Sequence, residues 1–232
     1  MASDNEHAAM GTDERPGLAD EHARRAGPRQ PPRLLAICAG PAARLRGVAN
    51  GQAVDVLSGI VKRPISVVGD PVEVEFGRLG IRGDEQADPT VHGGIDKAVY
   101  VYPAEHYAAW ARRAARAGAE FDGRPGSFGE NLLVEGLLET DVWTGDRLEI
   151  GGLLLVVTTP RRPCYKLDLH LYEGAGREMV LARQPGWYCE VVRPGKAAAG
   201  QAIRQQAGSR AYTISETHRR QYRLPPVDAE VE

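Results

Sequence analysis

Thiols are scarce in this 232-residue chain: Cys38, Cys164 and Cys189 are the three cysteines, and no two stand in a C-x-x-C pair. That excludes a zinc ribbon and a disulfide scaffold, and makes a reducing cytoplasm the simplest setting. Net charge is as scarce. Twenty-nine Lys and Arg against 31 Asp and Glu leave −2, which argues against a general nucleic-acid or membrane-surface binder. No apolar run is long enough to span a membrane, and the acidic N-terminus lacks the apolar core of a signal peptide. Residues 77–83 lack G-x-G-x-x-G spacing and the Gly-Lys-Ser/Thr that ends a P-loop. Internal repeats are absent.

Turn-forming residues are plentiful, with 27 glycines and 16 prolines. They punctuate many short apolar stretches, which reads as short strands joined by tight turns. Residues 34–38 read as a buried strand, and Val72-Glu-Val-Glu-Phe76 alternates as a half-exposed one. Residues 54–57 and 67–68 are weaker strand candidates. Residues 97–102 form a central strand, and Pro103 opens the main helix, with Tyr107, Trp110, Ala111 and Ala114 at helical spacing. Arg112, Arg113 and Arg116 are its wet face. Residues 142–159 are the clearest hairpin, turning at Gly151-Gly152. Further strands are read at 132–134, 187–192 and 201–204, with a short helix over 176–183. The pattern is mainly β: a closed or nearly closed barrel with peripheral helices. Residues 1–32 read as a disordered extension, 33–207 as the folded domain and 208–232 as a short polar tail with a helical turn or two near 215–222.

Chemistry concentrates in Thr159-Pro-Arg-Arg-Pro-Cys-Tyr-Lys-Leu167. The prolines end the preceding strand and stiffen a rim. There Cys164 sits among Arg161, Arg162, Tyr165 and Lys166, and nearby cations favour the thiolate, the nucleophilic and metal-binding form. The alternative is a small hydrophobe under a loop; Cys38 and Cys189, within apolar strands, are read as packing residues. Residues 77–94 form a long glycine-punctuated loop, of a length that in a compact domain often marks a functional segment. In it His92-Gly-Gly94 either cradles an anion with its N–H groups or makes a turn in which His92 caps a carbonyl. Lys62, Arg78 and Arg82 add candidate positive charge, although each alone suits a solvent-facing side chain. Asp84 and Asp88 read as loop-organising caps. Glu130-Asn131 stands at the mouth of a strand, where it binds a heterocycle edge or satisfies a turn. His106 and His170 lack metal-site spacing.

Three ordered motifs carry a resemblance. Gly83-Asp-Glu-Gln-Ala-Asp-Pro-Thr-Val-His-Gly-Gly-Ile-Asp-Lys-Ala-Val99, Phe128-Gly-Glu-Asn131 and Pro160-Arg-Arg-Pro-Cys-Tyr-Lys-Leu167 resemble the MOSC domain, named after the C-terminal part of molybdenum cofactor sulfurase, and within it the YiiM-like group. The resemblance implies a barrel-like β fold from about residue 34 to 204. It also implies the molybdopterin form of molybdenum cofactor, with Cys164 binding molybdenum or carrying sulfur. Carried over by residue, the expected catalytic groups are Cys164, His92 and Asp96. Lys97, Glu130, Asn131 and Arg161 are the cofactor contacts, with Lys62 and Arg78 added for their charge. The implied activity is reduction of N-hydroxylated small molecules, with electrons from a separate reductase, since no flavin, nicotinamide or iron–sulfur motif is present. The competing reading is a non-redox sulfur carrier or cofactor-binding module. Ile95 stands where the group usually has proline. The three-helix C-terminal extension of fuller YiiM-like proteins is missing, and the N-terminal 32 residues are outside the family pattern.

Overall fold

The structure is a computed structural model that describes residues 31–49, 51–87 and 93–226. The expected disorder of residues 1–32 therefore concerns a stretch lying almost wholly outside the described residues, and His92 lies outside them too.

Strand β1 (Arg33–Ala39) leads to a ribbon, β2 (Ala43–Ala49) and β3 (Gln52–Ser58), followed by β4 (Arg63–Val67). Next come β5 (Val74–Gly77), β6 (Gly80–Ile81) and β7 (Val99–Pro103). A 3-10 turn (Ala104–His106) leads into α1 (Tyr107–Arg116), then β8 (Leu132–Glu135), β9 (Arg147–Ile150) and β10 (Leu153–Pro160). Two short helices, α2 (Tyr165–His170) and α3 (Ala175–Leu181), precede β11 (Trp187–Arg193), β12 (Gly195–Ala197), β13 (Ile203–Gln206) and α4 (Ile214–Tyr222).

Eight strands form one curled sheet in the order β13-β9-β10-β11-β7-β8-β1-β4. All pairs are antiparallel except β7 with β8. At one end the curl nearly closes. Leu34 N–H donates to the Gln201 carbonyl at 2.9 Å, and Gly200 N–H donates to the Leu34 carbonyl at 2.7 Å. The mainly β, barrel-like architecture expected from the sequence is what the chain adopts.

Alternation along the central strands sets two faces. Val99 and Val101 of β7, with Trp187, Cys189 and Val191 of β11, enter the interior core. Tyr100 and Tyr102 face the other way and join Trp110, Phe128, Leu167 and Met179 in a second core beneath the helices. Trp110 and Ala114 lie one helical turn apart and are the buried face of α1. Trp110 N–H donates to the Tyr102 hydroxyl at 2.7 Å, so this large buried ring leaves no orphan donor.

Three local expectations are corrected. The glycine-punctuated stretch 77–94 is not continuous loop: β5 and β6 form a hairpin at its start, because Phe76 and Ile81 pair and are both buried. Pro103 closes β7 instead of opening the helix, which begins after the 3-10 turn. Arg113 leaves the wet face of α1: its guanidinium lies 4.8 Å from the Trp110 ring centroid and donates to Gln184 at 2.8 Å. The helical turn or two expected near 215–222 is the helix α4, which packs on β10 by burying Ile214 and His218 at i, i+4. Its start is fixed by a capping box: Thr213 Oγ1 accepts from Glu216 N–H at 3.0 Å, while Glu216 accepts from Thr213 N–H at 2.8 Å.

Candidate functional site

On the outer face of β7 and β11 the sheet and the loops leave a cavity of about 90 Å³. Six stretches far apart in sequence line it: 58–62, 84–87, 97–100, 128–131, 161–166 and Tyr188. Each arrives at the end of a strand or turn. Gly129 shows why the glycine of its motif is required. Its φ is +75°, and a Cβ there would stand 2.9 Å from Ile60 Cγ1 and 3.0 Å from the Ile60 carbonyl oxygen.

Cys164 lines this cavity and is half-buried, whereas Cys38 and Cys189 are fully buried. It precedes α2, where its carbonyl accepts from Leu167 N–H at 2.9 Å. Burial pushes the thiols of Cys38 and Cys189 far above the ordinary range, which keeps both inert. Lys166, in the first turn of α2, donates to the Leu57 carbonyl at 2.9 Å and ties the thiol's loop to the β2–β3 ribbon.

Five cationic side chains line the cavity, Lys62, Lys97, Arg161, Arg162 and Lys166, against two carboxylates, Asp84 and Glu85. Two of the cations are built into the wall. Lys62 is ion-paired with Asp84, both side chains being nearly inaccessible. Asp84 also accepts from Gly40 N–H at 3.0 Å and Asn131 Nδ2 at 2.9 Å. Arg161 donates to the Phe128 carbonyl at 2.6 Å and to the Tyr100 hydroxyl at 3.3 Å, and its guanidinium stands 4.9 Å from the Tyr100 ring centroid. One nitrogen, Nη1, makes both hydrogen bonds while the planar guanidinium lies near the Tyr100 ring.

The expected site residues divide. Cys164, Lys62, Lys97, Asn131 and Arg161 come together around the cavity. The Asn131 amide is engaged within the fold: Oδ1 accepts from Tyr100 N–H at 3.0 Å, and Nδ2 donates to Asp84 at 2.9 Å and to the Cys38 carbonyl at 3.3 Å. Glu130 turns inward, fully buried, where it accepts from Gly126 N–H at 2.6 Å, Phe128 N–H at 3.0 Å and the Tyr107 hydroxyl. It organises the 126–130 turn and does not line the cavity. Asp96 is exposed and stands outside the cavity lining; its backbone carbonyl accepts from Thr158 Oγ1 at 2.6 Å. Arg78 belongs to the β5–β6 hairpin and lines a separate surface depression. Gly94 N–H, a candidate anion donor, is taken by Gln86 Oε1 at 2.9 Å.

Sequence reasoning passed over Tyr100 and Tyr188, which wall the cavity. Its signal was strand alternation: Tyr188 pairs with Tyr100 across β11 and β7, on the face opposite Trp187 and Cys189.

The curled β sheet carries on its outer face a cation-rich cavity with a half-buried thiol, side chains of the types that suit an anionic ligand with a soft centre. The MOSC domain matches residues 88–204, and the chain belongs to the MOSC domain family. It is YiiM-like: over 128 residues it is 43% identical to protein YiiM of Escherichia coli, a match covering 55% of this chain and 56% of that protein's length. The crystal structure of YiiM from Geobacillus stearothermophilus superposes with a TM-score of 0.61 at 28% identity, over 83% of this chain and 84% of that one. A protein named reductase from Gibberella moniliformis is 32% identical over 126 residues, 53% of this chain and 22% of that protein. MOSC domains are associated with molybdenum cofactor binding. No described helix is long and apolar enough to cross a membrane.

The residues present fit such a cofactor. Cys164 offers a sulfur to a soft metal. Cations outnumber carboxylates around it, as an anionic phosphate requires. Among the described residues no cluster of three or more His, Cys, Asp or Glu could chelate a bare metal ion. The remaining ligands would be the cofactor's own sulfurs.

Proposed function

We propose that this chain holds molybdenum cofactor in the Cys164 cavity and reduces the N–O bond of N-hydroxylated small molecules, with electrons from a separate reductase. The observation that carries the reading is the placement of Cys164: of three cysteines, it is the one at a cation-lined cavity. The likeness to a protein named reductase supports it, the similar segment being 22% of that longer chain.

When bound, the cofactor would supply the two-electron redox couple. The chain's own residues supply the rest. Cys164 would ligate the metal, and Lys97, Arg162 and Lys166 would meet the phosphate. Arg161, held by Phe128 and Tyr100, fixes a positive charge beside the thiol without reorganising during reaction. The Lys62–Asp84 pair forms part of the cavity wall. The test is molybdenum and pterin analysis of protein purified from a host that makes the cofactor, beside Cys164→Ser. Stoichiometric molybdenum in the wild type and none in the variant is the expected result. A wild type without molybdenum, whose Cys164 instead carries the mass of one extra sulfur lost on thiol treatment, would replace this reading with a sulfur carrier.

A further inference from the structure

Two tyrosines stand side by side on the cavity wall, and their hydroxyls are in opposite situations. Their rings are 5.2 Å apart at 41°. Tyr100 donates its O–H to the Pro185 carbonyl at 2.7 Å and receives an Arg161 N–H at 3.3 Å, so its hydroxyl is committed. The Tyr188 hydroxyl has no hydrogen-bond partner among the described residues; that residue's one bonded group beyond the strand ladder is its carbonyl, which accepts from Thr158. The phenol is half-buried, lines the cavity and lies within electrostatic reach of Arg161 and Cys164. A hydroxyl at a cavity wall with no protein partner among the described residues is free to meet a ligand oxygen placed against it.

We propose that Tyr188 is a catalytic residue for the reduction proposed above, an inference that rests on that reading. Its O–H recognises the oxygen of the N–O group and gives it a proton as the bond breaks. The atoms balance: one hydroxylamine, two electrons and two protons give one amine and one water. The N–O bond is cleaved, the nitrogen is reduced by electrons from the external reductase, and the oxygen leaves as water carrying the proton from Tyr188. The second proton reaches the nitrogen from solvent. The phenolate left behind is steadied by the Arg161 cation and reprotonated by water through the cavity mouth. A phenol carries its proton at neutral pH.

Tyr188→Phe keeps the ring against Tyr100 and removes a hydroxyl that holds nothing, so the denaturant midpoint should not move. In the molybdenum-loaded enzyme, turnover should fall about 100-fold with a much smaller change in KM. A second readout needs no cofactor. Cofactor-free wild type should bind N-phenylhydroxylamine about tenfold more tightly than aniline, by calorimetry, and Tyr188→Phe should bind the two alike. Turnover of the variant within about threefold of wild type, or no preference for the oxygenated ligand in the wild type, overturns the role of Tyr188. Failure to load molybdenum sinks the proposed function instead, and the cofactor-free comparison then still decides whether Tyr188 recognises the oxygen.

Discussion

Trp187 and Tyr188 are neighbours on one strand, and each carries a polar group with no partner among the described residues. The Trp187 indole N–H is sealed in the barrel interior among aliphatic side chains. The Tyr188 hydroxyl opens onto a cavity beside a thiol and a guanidinium. The indole N–H is buried out of reach, while the hydroxyl is accessible from the cavity. What separates them is the two-residue period of a strand, which sends successive side chains into an apolar core or into a charged cleft.

The three cysteines break that comparison most sharply. Cys164→Ser should abolish molybdenum binding and N–O reduction, because a hydroxyl is a far poorer ligand for a soft metal. The denaturant midpoint should barely change, since the residue is half-buried at a cavity. Metal per chain and turnover check the first expectation, and a urea melt the second.

Asp84→Asn tests whether the charged side is held as firmly as the apolar one. It leaves Lys62 as a nearly inaccessible cation without its counter-ion. Stability should fall by about 3–5 kcal/mol, the scale for breaking one side of a buried ion pair. A loss below about 1 kcal/mol would mean that water reaches Lys62 freely.

Interior substitution is milder. Cys189→Ser and Cys38→Ser each bury a hydroxyl without an assured partner, at a cost of about 1–3 kcal/mol. Metal content should be untouched. Molybdenum loss in Cys189→Ser with an unchanged melt would reverse the assignment of faces.

The smallest effect is a slope with pH. Burial outweighs the hydrogen bonds from Tyr107, Gly126 and Phe128 and lifts Glu130 above the usual carboxylate range. An acid that keeps its proton longer folded than unfolded loses stability as pH rises, from about 4.5 up through its folded value. Glu130→Gln, having no proton to lose there, should flatten that part of the curve of urea midpoint against pH. Equal slopes in the two proteins would show that Glu130 is not titrating in a buried site.

Much of the sheet was legible because its inner strands alternate or run apolar: residues 34–38, 153–159 and 187–192 fall in observed strands, as does most of 97–102. β2 was not, since the residues of the ribbon Ala43–Ala49 are exposed or half-exposed and carry no burial pattern to read. α4 looked like a polar tail because two residues, Ile214 and His218, anchor it. At the site, the proline-framed cysteine announced itself by local composition. The Lys62–Asp84 pair spans 22 positions and forms through the fold, which no local pattern encodes. Asp96, Glu130 and Arg78 were chosen by motif position or charge, and charge does not say which way a side chain points. Tyr188 was missed for the same reason: alternation separates two faces without saying which one meets a cavity.

The scattered origin of the cavity wall ties occupancy to folding. Its six stretches meet through tertiary structure, so opening of the sheet edge, the β2–β3 ribbon or the 126–131 turn dismantles the site. A ligand that binds the assembled wall and not its parts lends its binding free energy to the whole fold. At a free concentration about 100 times Kd that is about 2.7 kcal/mol, comparable with the burial of a large side chain. An occupant would thus act as a removable staple, and the chain's resistance to unfolding would record whether the cell had supplied it.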